Sequence, residues 1–584
     1  MNFKRRSFFG FLSLMLVLIF VLSACGSKYD ENGNPINKNI APKGDINSAS
    51  VQDYKAIYKD DDETSVVTMY LTVSKGNRID KTDHTWAEIN SHSTFYYDEL
   101  GINRYLVEGM LQVGDESGPL TGQFGYGEFA PNSTVEIRGG KSSRSAQKSY
   151  KISIKNNEGM WRGQTTIALN KHVYDSVRFR NKLSYDIIKT IPNMFAARTQ
   201  FVHLYVKDLT TGDRGAKFSD YGLYTQVEQV NKKYLRNHGL DENGHLYKAN
   251  MFDFARYPED LKLIGDDTYK FESFEARLET KGSSDHSKLL AVLDEINNPE
   301  TPIKDIFEKH FDIENYFSWL AFQILSGNVN TVDQNYYLYS PQSGNKWFFI
   351  PWDNDGAWKF EENVMFEGVK GYNYQFGITN YWASPLHRRV LELPEYRKKL
   401  DDKINELKAF LTKDKISNMI SAYSATTKPY IFAMPDIMYA PRKTEEYNKI
   451  LETIPKEIDN NYEMYQLSTK KPMPFFLAVP KSEGSETVFT WDASFDFSGQ
   501  SISYNFELAD DYYFENPIYR EENLQAPTLK YENLAPGQYF YRVTAVNGDG
   551  ETQTAMEIYS GADDREHFGI LCFYVMPDGT IGGQ

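Results

Sequence analysis

Cysteine is almost missing from this chain: Cys25 and Cys572 are the only two among 584 residues. A disulfide framework is therefore excluded, and folding must rest on core burial, which a chain of this length supplies. Long apolar runs are missing too. The longest, residues 8–22, spans about 15 residues, where a membrane-crossing helix needs about 20. No stripe of lysine or arginine offsets the excess of 80 Asp and Glu over 64 Lys and Arg. Such a surface repels phosphate backbones, which excludes nucleic acid as an expected partner. The ten histidines never fall at an H-x-x-x-H spacing, so His84, His92 and His203 read as surface or core residues. Ser142 and Ser143 lack the G-x-S-x-G setting of a hydrolase nucleophile.

What is present begins with Lys4, Arg5 and Arg6, then the apolar run, then Leu22, Ser23, Ala24, Cys25 and Gly26. A basic start, a short apolar stretch and small residues before a cut make a secretory signal peptide over residues 1–24. The cysteine placed after Leu-Ser-Ala resembles a lipobox, in which the Cys25 thiol is acylated and becomes the mature N-terminus. The expected location is the outer face of a bacterial cytoplasmic membrane, with the chain lipid-anchored there. Loss of the three basic residues leaves 61 basic against 80 acidic groups, a net charge of −19.

Residues 25–62 carry Gly33-Asn34-Pro35, Ala41-Pro42-Lys43-Gly44 and the acidic run after Lys59, with little periodicity. They read as a flexible tether. Strands are expected at 66–73, 105–113, 135–138, 150–154, 201–206, 221–227, 336–339 and 347–350. Phe179, Leu183, Ile187, Ile188 and Ile191 share one helical face, and further helices are expected at 313–325, 394–411 and 444–465. Strands, a helix, more strands and then a helical half make an α+β domain over 63–468. Composition shifts at Lys470-Lys471-Pro472. Beyond it, Ile502, Tyr504, Phe506 and Leu508 alternate with polar residues, as do Tyr539, Tyr541, Val543 and Ala545. Period 2 with turns at Pro536-Gly537 and Asn547-Gly548 predicts an all-β sandwich over 472–560, followed by a C-terminal tail over 561–584. The segment 534–547 resembles the penultimate strand region of fibronectin type III domains.

Two segments carry chemistry. The first, residues 138–151, sets Arg138, Lys141, Arg144, Lys148 and Lys151 around Gly139-Gly140 and Ser142-Ser143 between two strands. Backbone N–H groups at a glycine turn and guanidinium forks suit phosphate oxygens; an exposed basic hairpin is the plainer alternative. In the second, Asp353 and Asp355 follow the apolar strand that ends at Pro351-Trp352. Carboxylates at i and i+2 point to one side of an extended chain, as hard-cation ligands must. A carboxamide about 20 residues earlier, Asn335, completes an oxygen shell. An ordinary Asp-Asn-Asp surface turn is the plainer alternative here.

These residues resemble the spore-coat protein H (CotH) kinase-like family across most of residues 66–450. The resemblance rests on Arg138 to Ser143 with Lys148 to Lys151, on Gly222 to Glu228, on Leu246-Tyr247-Lys248, on Gly327 to Tyr339 and on Pro351 to Asp355. It implies an atypical two-lobed protein-kinase-like domain using ATP with Mg or Mn, followed by an immunoglobulin or fibronectin III-like sandwich. Arg138, Gly139, Ser142, Ser143 and Arg144 would then lie over the phosphates, reached by either Lys148 or Lys151, with Glu228 at the edge where the lobes meet. Asp353 would take the role of the metal-binding Asp of the DFG motif, Asn335 that of the catalytic-loop Asn, and Asp355 would assist the metal. One departure stands out. The kinase base is an Asp five residues before the metal-binding Asn, and Asn330 stands there instead; Asp333 substitutes only if the loop is re-registered. The expected activity is phosphorylation of Ser or Thr on exported or surface proteins. The alternative is an inactive pseudokinase or structural lipoprotein whose sandwich binds a wall polymer or protein partner.

Overall fold

The structure, a computed structural model, describes residues 51–584 apart from 368–372, 441, 563–564 and 584. The expected signal peptide, Cys25 and the first part of the tether lie outside the described residues. The tether's expected second part is corrected. Lys55–Tyr58 forms a 3-10 turn with Ile57 buried, and Asp53 is buried against His238, so residues 51–62 belong to the folded domain.

Eight strands form the first sheet: β1 (Val66–Ser74), β2 (Val107–Asp115), β3 (Gly118–Pro119), β4 (Ser133–Arg138), β5 (Ser149–Ile154), β6 (Thr166–Asn170), β7 (Thr199–Asp208) and β8 (Ser219–Glu228). Their order is β1-β7-β8-β6-β5-β4-β2-β3, and β1 also pairs with β2. Met69 thus sits between Leu204 of parallel β7 and Val113 of antiparallel β2, and the sheet closes on itself. Closure removes the strand edges at that seam and wraps a core of Met69, Leu71, Leu111, Ile137, Ile152 and Leu204. The helix Arg180–Ile188 between β6 and β7 is buried along its whole length.

A second core lies over β9 (His245–Ala249), β10 (Leu278–Thr280), β11 (Tyr336–Ser340) and β12 (Phe348–Pro351), ordered β10-β9-β11-β12. The helix Ile313–Ser326 packs on this sheet with Trp319 stacked on Phe349. Asp312 caps its start by accepting from Asn315 N, and Gly327 ends it at φ 67°, a left-handed value that glycine tolerates. The helix expected at 444–465 is split into Thr444–Thr453, a 3-10 turn Ile454–Lys456 and Glu457–Ser468. Pro455 lacks an N–H and restricts the residue before it, which accounts for the break.

The C-terminal strands are β13 (Lys481–Glu483), β14 (Glu486–Thr490), β15 (Ser503–Ala509), β16 (Tyr519–Leu524), β17 (Thr528–Glu532), β18 (Gly537–Val546), β19 (Thr552–Thr554), β20 (Ile558–Ser560), β21 (Glu566–Phe568), β22 (Ile570–Val575) and β23 (Ile581–Gly583). The sheets β13-β14-β17 and β16-β15-β18-β22-β23 share a core around Phe489, Phe506, Tyr541 and Phe573. The tail expected at 561–584 is corrected: β22 pairs along β18, and alternation buries Phe573 and Val575. No helix of the described residues is long and apolar enough to cross a membrane.

Candidate functional site

A cavity of about 590 Å³ opens between the closed sheet and the four-stranded sheet. Arg138, Ser149, Asn170 and Val227 line it from one side, and Lys248, Asn330, Asn335, Asp353, Asp355 and Lys359 from the other. Two chain segments nearly two hundred residues apart therefore meet there.

The hairpin after β4 is shaped by short-range bonds. Gly139 adopts φ 97°, and a Cβ there would lie 2.4 Å from Ser142 Oγ, so only glycine fits. Ser143 donates its hydroxyl to Gly140 O at 2.7 Å, and Thr94 donates its own to Gly139 O at 2.8 Å. Arg138, Gly139 and Ser142 line the cavity. The remaining expected phosphate ligands do not line it. Ser143 is buried inside the turn, and Arg144 lies over the Phe95 ring at 4.2 Å. Lys148 Nζ donates to Ser143 O at 2.6 Å, and burial lowers its pKa. Lys151 is tied to its cross-strand partner Glu136 at 2.6 Å. The lysines that do line the cavity are Lys141, Lys359 and, on β9, Lys248, which lies 3.0 Å from Glu279 and 3.1 Å from Asn250 Oδ1.

Glu228 is also placed elsewhere. Alternation along β8 turns Val227 into the cavity and Glu228 to the opposite face. There Arg198 grips it through Nε at 3.0 Å and Nη2 at 2.7 Å, and His238 Nε2 lies 3.1 Å away. Burial favours a protonated Glu228, but Arg198 and then His238 outweigh it and hold the carboxyl far below the usual range.

Asp353, just past β12, and Asn335, just before β11, adopt φ 50° and 62°, and His172 adopts 47°. Three non-glycine residues in the left-handed region around one cavity mark locally stored strain. Asn335 O accepts from Trp352 N at 3.0 Å, and Asn181 Oδ1 accepts from Asn354 N at 3.0 Å. These bonds fix both loops. Asp355 Oδ2 lies 3.6 Å from His172 Nδ1. Asp355 beside it, and then the desolvating walls of the cavity, push Asp353 up to about 6, although its side chain stays exposed to solvent in that cavity; His172, Arg138 and Lys248 oppose the shift. Burial lowers the Arg138 pKa, against the pull of Asp353. Among the described residues no hydrogen bond or ion pair satisfies the Arg138 guanidinium.

Asn330 reaches the cavity, and its Nδ2 lies 3.6 Å from where a Cβ would stand on Gly356. Asp333 does not line it. Its carbonyl accepts from Phe252 N at 2.7 Å, and burial, then Asp253, raise its carboxyl pKa. Among the described residues, no three His, Cys, Asp or Glu gather as a metal site. Asp353, Asp355 and Asn335, the oxygen donors expected from the sequence, all line the one cavity. Mg²⁺ or Mn²⁺ fits such a set, because these ions are commonly held by one or two carboxylates plus waters and phosphates. The mutual repulsion that raises Asp353 is also what a cation relieves. Lys248 was visible in the sequence only as part of a motif; Asn181, His172 and Lys359 gave no signal there.

Comparison with known proteins bears on this site. Inner spore coat protein H of Bacillus subtilis (strain 168) is 23% identical over 340 residues, 56% of this chain and 84% of that protein. Among solved structures, the Helicobacter pylori proinflammatory kinase CtkA matches 55% of this chain and 94% of its own at 11% identity, with a TM-score of 0.25. An Fn3-like protein from Clostridium thermocellum matches 14% of this chain and 79% of its own at 24% identity, with a TM-score of 0.11. At such scores neither structure defines the fold or the site. The family model described as CotH kinase protein matches residues 135–465, more than half of the chain, and spans the hairpin, Asn330, Asn335, Asp353 and Asp355. The chain belongs to the CotH kinase family, and residues 135–465 form its kinase-like domain.

Proposed function

We propose that the cleft binds ATP with Mg²⁺ or Mn²⁺ and transfers the γ-phosphoryl group to Ser or Thr of exported or surface proteins, from a chain anchored through lipid on Cys25. The observation that carries this reading is the guanidinium of Arg138, which has no hydrogen-bond or ion-pair partner among the described residues, facing Asp353 and Asp355 across one cavity. In a chain with 80 acidic residues, Arg138, Lys141, Lys248 and Lys359 around one opening make a local anion site. Arg138 would hold phosphate oxygens as a fork, and Lys248 would add a point charge that Glu279 orients. Asp353, Asp355 and Asn335 would hold the metal, which supplies charge neutralisation at the phosphates. The two carboxylates and the fixed loops keep those oxygens in place before the nucleotide arrives.

Asn330 favours a second reading, a nucleotide-binding pseudokinase. Its amide orients a substrate hydroxyl but has no basic site to accept the proton. Because positioning and charge stabilisation dominate phosphoryl transfer, the missing base lowers the rate without abolishing the chemistry. Incubation of the lipid-free chain with γ-labelled ATP and Mn²⁺ separates the readings. Transfer of label that is lost in Asp353→Ala supports the kinase, and a thermal shift with nucleotide but no transfer supports the pseudokinase. Neither shift nor transfer would leave a structural lipoprotein whose sandwich binds wall polymer or a protein.

A further inference from the structure

We infer that residues 374–382 form a positioning strap that fixes Asn330 and couples the cleft to the C-terminal sandwich, an inference that rests on the nucleotide-binding reading of that cleft. Asn330 is flanked by Val329 and Thr331, and the strap holds both. Asn380 Nδ2 donates to Val329 O at 3.0 Å, and Tyr381 OH meets Thr331 Oγ1 at 2.7 Å. Thr331 donates its hydroxyl to Asn328 O at 3.0 Å, so Tyr381 is the donor in the shorter bond. Thr331 and Tyr381 are both buried, where a hydrogen bond is stronger and its loss more costly.

The strap is itself anchored. Thr379 Oγ1 reaches both Tyr374 O and Phe376 O at 2.7 Å, and Ile378 N donates to Ser468 Oγ at 3.1 Å. Gly377, at φ 49°, would place a Cβ 2.3 Å from that same Ser468 Oγ. Both ends of the strap rest on aromatic rings of the sandwich segment. Trp382 stacks on Phe495 with ring centres 5.6 Å apart and meets Phe497 edge-on at 5.5 Å. Tyr374 meets Phe568 at 5.9 Å, and Arg397 closes over Phe497 at 4.4 Å. Close-packed rings transmit a displacement rather than absorb it. A partner that shifts the sandwich therefore shifts Val329 and Thr331, and with them the amide where the kinase base belongs.

Contact alone does not establish coupling; a shared energetic response does. The test uses the full mature chain with Phe497→Ala, Tyr381→Phe and the double variant. Mn²⁺·ATP affinity is measured by calorimetry, and backbone hydrogen exchange is followed over residues 327–335. Each single variant is expected to weaken binding at least about threefold and to speed exchange of those amides about tenfold. The double variant should lose no more than the worse single, because both act through one route. Phe497→Tyr should retain both properties. Wild-type binding and exchange in both single variants would overturn the strap, as would additive losses in the double variant. Exchange that rises uniformly over the whole domain would also overturn it, since that marks plain loss of stability. Should the wild-type chain bind no Mn²⁺·ATP, the nucleotide reading falls, and the exchange data still decide the strap.

Discussion

Arg180 is fully buried and Arg138 is half-buried at the cavity wall, and the two are treated in opposite ways. Arg180 has Nη1 2.6 Å from Asp175, Nη2 2.6 Å from Glu362 and Nε donating to Trp358 O at 3.0 Å. Burial lowers its pKa, but Asp175 and Glu362 outweigh burial and raise it, and Asp175 is lowered in turn. At the cleft the directions invert. Arg138 is lowered and Asp353 is raised to about 6. The same residue types thus form a closed knot in one place and an open set in the other. Charges that the protein neutralises itself serve the fold, and charges it leaves uncompensated call for an external partner.

The first way to break that contrast has the largest expected effect. Arg180→Ala leaves Asp175 buried without its ion-pair partner and leaves Glu362 with Arg442 alone, 3.3 Å away, which costs about 3–5 kcal/mol. The loss should appear as a lowered denaturant midpoint. A midpoint within error of wild type would mean that the knot contributes nothing.

A second closed knot sharpens the contrast through pH. His238 sits between Asp53 at 2.6 Å and Glu228 at 3.1 Å. Burial opposes its charge, but Asp53 and Glu228 outweigh burial and push its pKa up to about 9 from 6.5. A raised folded-state pKa gives stability that is full below about 6.5 and is lost as pH rises through 9. That contribution amounts to about 3 kcal/mol at most. Asp53 and Glu228 are lowered, so their contribution is present above the ordinary carboxylate range and fades on acidification. Urea midpoints should therefore fall between pH 7 and 9.5, and His238→Gln should flatten that slope.

Much of this architecture was legible beforehand, and what was hidden is instructive. Strands with a clear period-2 pattern, such as β18, lie where expected because alternation reports a buried face directly, and β1 lies where expected as a β-branched run buried on both faces. The β22 strand was hidden because it follows a turn-rich stretch and looks like a tail. At the site, Arg138, Asn335, Asp353 and Asp355 were legible as a motif set, whereas Lys148, Lys151 and Glu228 were assigned to the cleft and lie elsewhere. Spacing shows which side chains share a face of a strand. It does not show whether a cross-strand Glu136 or a distant Arg198 already satisfies the charge.

The cleft itself supplies a third test. Asp353→Asn keeps the shape but removes one ligand charge, and Mn²⁺·ATP affinity should fall at least about tenfold, or about 1.4 kcal/mol. Stability should hold or rise slightly, since the repulsion with Asp355 disappears. That is the reverse of the Arg180 outcome. A variant that unfolds instead would place Asp353 among the structural charges.

The smallest expected effect is the most discriminating. Lys151 and Lys248 both sit on strands and both pair with a glutamate, at 2.6 Å and 3.0 Å. Lys151 keeps 40% of its side chain exposed and lies outside the cavity, while Lys248 lines it. An exposed pair contributes under about 1 kcal/mol, so Lys151→Ala should leave both stability and nucleotide affinity near wild type. Lys248→Ala should weaken Mn²⁺·ATP binding with a similarly small change in stability, because it removes an anion-facing charge from a partly exposed site. The difference between the two affinities therefore reads out which lysine faces the phosphates. Equal losses in both variants, or a loss only in Lys151→Ala, would return the phosphate site to the basic hairpin and remove Lys248 from it.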